Sequence, residues 1–135
     1  MRFLCFILPI IWLVFTPVAA AAQDPLAAKA EFFEAKIRPL LVQRCVKCHG
    51  SEKVSGELRI DSRQAILQGG DRGPAMIPGD AGESLIIQAV QGTNDDLSMP
   101  PAGKLPAHEI ALLEQWVNQG AYWPDPSSTT ASEIT

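Results

Sequence analysis

Cysteine is scarce in this chain, with three in 135 residues, and Cys5 falls within an apolar leader. That leaves Cys45 and Cys48 as the thiols of the main body. Histidine is scarcer, with only His49 and His108, so a four-ligand zinc site would need both cysteines and both histidines. Basic residues are too few to support nucleic-acid binding: 11 Lys and Arg stand against 15 Asp and Glu, a net charge of −4. No internal repeat is evident, and no stretch alternates convincingly as a strand.

The first stretch, MRFLCFILPIIWLVFTPVAAAAQDP, has the grammar of an export signal. Arg2 supplies the positive start, and Phe3 to Phe15 form an apolar run too short to read comfortably as a membrane span. Ala20, Ala21 and Ala22 supply small residues for cleavage, expected after Ala22. An uncleaved anchor is the alternative. Removing residues 1–22 takes away one charge, Arg2, and leaves 10 basic against 15 acidic residues, net −5, which suits a soluble exported protein. Export implies an oxidising compartment, where two ordinary thiols would tend to oxidise, so Cys45 and Cys48 need a specific explanation.

The remaining pattern predicts about four helices joined by long loops, an all-α chain. From Lys29 to His49, Phe33, Ile37, Leu40, Leu41 and Cys45 recur at helical spacing, with a kink or restart expected at Pro39 and a stop at Gly50. Asp61 or Ser62 is placed to cap a short helix carrying Ala65, Ile66 and Leu67, ended by Gly69-Gly70. GGDRGPAMIPGD must turn. Asp80, with Glu83 three residues on, resembles a capping box before Leu85, Ile86, Ile87 and Val90. The last helix, 106–119, places Ile110, Leu113, Trp116 and Val117 on one side, and Gly120 closes it. Residues 124–135 have almost nothing to bury, so disorder is expected. So few apolar residues for so much loop would benefit from a large apolar object at the centre.

RCVKCHGS carries the chemistry. Cys45, Cys48 and His49 stand at i, i+3 and i+4, one face of a helix. Two thiols can hold the vinyl groups of a haem as thioethers while the adjacent imidazole reaches the iron, the C-x-x-C-H signature of c-type haem. Zinc on Cys45, Cys48, His49 and His108 is a weaker reading, because neighbouring Cys48 and His49 make awkward joint ligands. A thioredoxin-like pair lacks its strand–loop–helix context, and a plain disulfide is the remaining alternative. For the second iron ligand the candidates are Met99, Met76 and His108, or an open site. Met99, in SMPP, is preferred, since the prolines stiffen its loop and a thioether raises the potential. The Pro74 carbonyl is a candidate acceptor for the other ring nitrogen of His49.

These pieces resemble a class I c-type cytochrome, and more closely the planctomycete-type cytochrome c domain. The matching segments are FFEAKIRPLLVQRCVKCHG, GELRIDSRQAILQGGDRGPAMIPGD, ESLIIQAV, MPPAGKLP and EIALLEQWVNQGAYWP. The resemblance covers roughly residues 32–124 as a cytochrome c-like domain; with the expected signal peptide at 1–22, this leaves a lead-in at 23–31 and a tail at 125–135. It implies one covalent haem on Cys45 and Cys48, His49 as proximal and Met99 as distal iron ligand, Met76 as a haem-packing residue, and first and last helices crossing near Trp116. Pro106 departs from the usual Ser or Thr cap.

The expected function is an exported, periplasmic single-electron carrier rather than an enzyme. Alternatives are a redox sensor module of a larger system, or a haem enzyme reacting with peroxide or small gases at a labile distal site. Leu41, Ile77, Leu85, Leu97 and Trp116 are candidates for the haem pocket wall. Arg44, Lys47, Lys53 and Lys104 are candidates for a basic rim facing a redox partner. Neither nucleic acid nor a membrane span after signal cleavage is expected. Because relatives of this kind often head larger exported proteins, the resemblance implies further exported domains as candidate partners.

Overall fold

Asp24 and Pro25 begin the first helix. The computed structural model describes residues 24–93 and 96–125. The expected leader with its cleavage site, and the tail beyond Asp125, lie outside the described residues. Asp24 Oδ1 accepts from the Leu26 N–H at 2.9 Å, and Pro25 takes a first-turn position where its missing N–H is not needed. The helix therefore starts four residues before Lys29. It runs through α1 (Pro25–Phe32), a π turn (Phe33–Ile37), α2 (Arg38–Leu41) and a second π turn (Val42–Val46). The junction residues Phe33, Arg38 and Val42 keep right-handed helical dihedrals, so the run is continuous.

The break expected at Pro39 takes the form of the first π turn. Arg38 N–H donates to the Phe33 carbonyl, five residues back, which widens the helix just where the proline ring enters. The run ends at Val46, earlier than the expected His49. Its last turn is completed by the Cys48 and His49 N–H groups, both donating to the Cys45 carbonyl at 3.1 and 2.9 Å. Gly50 is buried, and a Cβ there would sit 2.5 Å from the Val46 carbonyl oxygen. The chain reverses against the helix end at a distance only glycine tolerates.

Three shorter helices follow: α3 (Arg63–Gln68), α4 (Leu85–Gln91) and α5 (Ala107–Asn118). Ser62, rather than Asp61, caps α3, its Oγ accepting from Ala65 N–H at 3.2 Å. The cap expected from Asp80 is displaced. Asp80 Oδ1 does accept from Glu83 N–H at 3.1 Å, but this closes a turn, and α4 starts after Ser84. Ser84 is fully buried. Its hydroxyl donates to the Asp80 carbonyl at 2.6 Å and accepts from the Ile77 N–H at 2.9 Å, which pins the 77–80 turn to the start of α4. Among the described residues, β pairing is limited to isolated bridges such as His49–Val54 and Gly70–Gly73. The architecture is all-α.

The core forms where the first helical run meets α4 and α5. Phe33, Ile37 and Leu41 are buried against Ile87, Leu113, Trp116 and Val117 in one cluster. All four α5 positions read from helical spacing are buried. Each such large side chain contributes about 1.5–3 kcal/mol by leaving water. The expected meeting of first and last helices near Trp116 is present: the Phe33 and Trp116 rings are 5.8 Å apart. Trp123 closes the group 4.6 Å from Phe33, and the Trp116 Nε1–H donates to the Tyr122 carbonyl at 2.8 Å.

Candidate functional site

The end of the first helical run opens onto a cavity of about 360 Å³. This is within the roughly 300–1,000 Å³ of ordinary small-molecule sites. Cys45, Cys48 and His49 all line it, as the local helical turn requires. The two thiols are not joined to each other. Burial pushes the Cys45 thiol up to about 11; the Arg44 charge opposes this and the Glu109 charge adds to it.

A loop stitched back onto the motif holds His49 in place. Ser55 N–H donates to the Cys48 carbonyl at 3.0 Å, and Ile60 N–H to the His49 carbonyl at 2.7 Å. Between them, the Leu58 carbonyl lies 3.3 Å from His49 Nδ1. A carbonyl only accepts, so Nδ1 carries the proton in this contact and the Nε2 lone pair is left for a metal. The acceptor anticipated at Pro74 is thus replaced by Leu58. Pro74 is exposed, while its neighbours Gly73 and Ala75 reach the cavity wall.

Met99 lines the same cavity from the loop before α5. Its N–H donates to the Ala89 carbonyl at 2.9 Å, which anchors the methionine loop on α4. α4 also supplies apolar wall through Leu85, Ile86, Ala89 and Val90, and Leu97 adds to it. Of the anticipated wall residues, Leu85 and Leu97 are therefore on the cavity. Leu41 and Trp116 are buried in the core beside it, and Ile77 is 44% exposed. Met76 is buried in the core and does not line the cavity. His108 is exposed at the start of α5. Among the described residues no group of three or more His, Cys, Asp and Glu is arranged to hold a metal, so the four zinc candidates are not assembled.

Charge at the rim also differs from the simple basic patch. Arg44 is engaged by Glu109 of α5, its Nε and Nη2 donating to the two carboxylate oxygens at 3.0 and 2.8 Å. Lys47, Lys53 and Lys104 are exposed. Three residues to which no motif assigns a site role matter here: Leu58, Ala89 and Arg72. Each acts through a contact nine or more residues away along the chain, for which no local pattern exists.

Two thiols, one oriented imidazole and a thioether around an apolar cavity fit the donor set of a covalently held haem. Residues 45–103 match the family described as Planctomycete cytochrome C. The matched segment starts at the first cysteine and extends beyond Met99, so it takes in the loops and both short helices around the cavity. No curated protein and no solved structure matches the chain. The match supports the resemblance read from the residues: the segment is a planctomycete-type cytochrome c domain, a haem-binding domain of c type. No helix among the described residues is long and apolar enough to cross a membrane.

Proposed function

We propose that this planctomycete-type cytochrome c domain carries single electrons through one haem, tethered by Cys45 and Cys48, with His49 and Met99 as the iron ligands. The observation that carries the reading is that all four side chains share one cavity. Bound haem supplies reversible one-electron exchange at its iron. The chain's own residues do the rest. The Leu58 carbonyl orients the His49 ring and strengthens its ligand nitrogen. Ala89, by holding the Met99 backbone, limits how far the thioether can stray. Leu85, Ile86 and Leu97 exclude water and disfavour extra positive charge in the cavity, which favours the reduced state.

The partners in this reading are a donor and an acceptor redox protein. Exposed Lys47, Lys53 and Lys104 fit an acidic partner, and electron transfer to it should slow as salt is added. Export to the periplasm, with cleavage near Ala22, belongs to the same reading, and the mature N-terminus read by mass spectrometry tests it.

Met99→Ala tests the ligand set. The oxidised wild-type protein should show the weak far-red charge-transfer band of a thioether on ferric iron, and the variant should lose it together with a fall in potential. A band that survives Met99→Ala and vanishes in Met76→Ala would reassign the ligand.

A further inference from the structure

The carbonyl that meets His49 comes from a tight turn, and that turn holds a left-handed residue other than glycine. Ser55, Gly56, Glu57 and Leu58 form it, closed by the Leu58 N–H donating to the Ser55 carbonyl at 3.3 Å. Both central residues lie in the left-handed region, Gly56 at φ 64° and Glu57 at φ 54°. Positive φ at both centres is the hand of a type I′ turn. Glycine accepts this freely at position 56, whereas a side chain at position 57 crowds its own backbone. The order Gly-Glu suits the II′ turn instead, in which only the first central residue has positive φ. The chain takes the strained hand although its sequence fits the unstrained one.

The surroundings enforce that choice. The Gly56 carbonyl accepts from the Asp71 N–H at 2.9 Å, and the II′ hand would flip the peptide between Gly56 and Glu57 and turn this carbonyl away. Gly70 packs against the same turn so closely that a Cβ there would lie 2.8 Å from the Leu58 nitrogen and 3.0 Å from the Glu57 carbonyl carbon. The Glu57 side chain is exposed and does not line the cavity, so its contribution is made by its backbone. A strained conformation that its neighbours over-determine points to a function, and what this turn delivers is the Leu58 carbonyl, 3.3 Å from His49 Nδ1. We propose that Glu57 is a positioning residue for the iron ligand: its left-handed backbone aims the Leu58 carbonyl at His49 and keeps it there. The inference rests on the haem reading above.

The test compares the haem-loaded full chain with Glu57→Val, Glu57→Asn and Glu57→Gly. All three variants remove the same charge. They differ in tolerance of positive φ, which asparagine and glycine accept and β-branched valine does not. Two readouts follow His49 rather than folding: the exchange rate of its Nδ1 proton by NMR in the reduced state, and the reduction potential. In Glu57→Val the proton should exchange several-fold faster and the potential should rise, because a ligand that loses its acceptor is less basic and stabilises ferric iron less. Glu57→Asn and Glu57→Gly should keep both wild-type values, and Glu57→Asn, by relieving strain, should raise Tm by a few degrees. That rise keeps the test in force should Glu57→Val fail to mature. Wild-type exchange and potential in Glu57→Val, equal shifts in all three variants, or no rise in Tm for Glu57→Asn overturns this inference and leaves the haem reading intact. Colourless wild-type protein overturns both.

Discussion

Ser84→Ala removes one oxygen from the interior and should be felt across the domain. The hydroxyl is fully buried and joins two backbone groups, accepting from Ile77 N–H at 2.9 Å and donating to the Asp80 carbonyl at 2.6 Å. At about 1 kcal/mol net for each hydrogen bond, the loss is about 2 kcal/mol. For a domain of ~100 residues, where 1 kcal/mol moves Tm by ~4–8 °C, that is a fall of about 8–16 °C. The same turn is held from α5, through Gly79 N–H to the Val117 carbonyl at 2.7 Å and Ala81 N–H to Asn118 Oδ1 at 3.0 Å, so the helices stay docked while the turn loosens. Thermal unfolding by far-ultraviolet circular dichroism, at equal haem content, measures the change. A Tm within 2 °C of wild type, about a quarter of the smallest expected fall, would refute the assignment of Ser84 as the clasp of this turn.

Further outcomes concern the site more directly. Gly70→Ala drives a Cβ into the Gly56 carbonyl and the Leu58 nitrogen, so it should destabilise by more than about 1 kcal/mol and disturb His49 through Leu58; denaturant titration and the visible spectrum report the two effects. In the chain before haem attachment, Cys45 should alkylate far more slowly than an ordinary thiol at pH 8–9, its rate climbing only toward pH 11; mapping of the modified peptides checks this. Because folded Cys45 keeps its proton between the ordinary value of 9.0 and about 11 while the unfolded thiol has lost it, stability of that haem-free form should fall as pH rises through this window and be unaffected below it. Leu113→Ala, at a fully buried α5 position, should cost about 2–5 kcal/mol in denaturant unfolding.

What could be read from the residues depended on how local the governing contact was. Helix α5 was legible because Ile110, Leu113, Trp116 and Val117 share one face, and burying that face is all the helix requires. The Cys45, Cys48 and His49 turn was legible for the same reason, since its spacing alone brings the side chains together. The Asp80 and Glu83 spacing has the form of a capping box, and Asp80 Oδ1 does accept from the Glu83 N–H, but that contact closes a turn and the helix begins only after Ser84. Leu58 could not be distinguished from Pro74 as the histidine acceptor, because loop closure decides which carbonyl arrives. Arg44 looked like a free rim charge because Glu109 is 65 residues away. Trp116 and Leu41 read as apolar and internal, but sequence spacing does not separate core from cavity wall.

The central claim is most directly tested by the visible spectrum and pyridine haemochrome of the full chain, expressed with an export and haem-attachment system. The account predicts a thioether-linked haem, one per chain, with neither Cys45 nor Cys48 open to alkylation after unfolding. Colourless, folded protein with both thiols alkylated would contradict it.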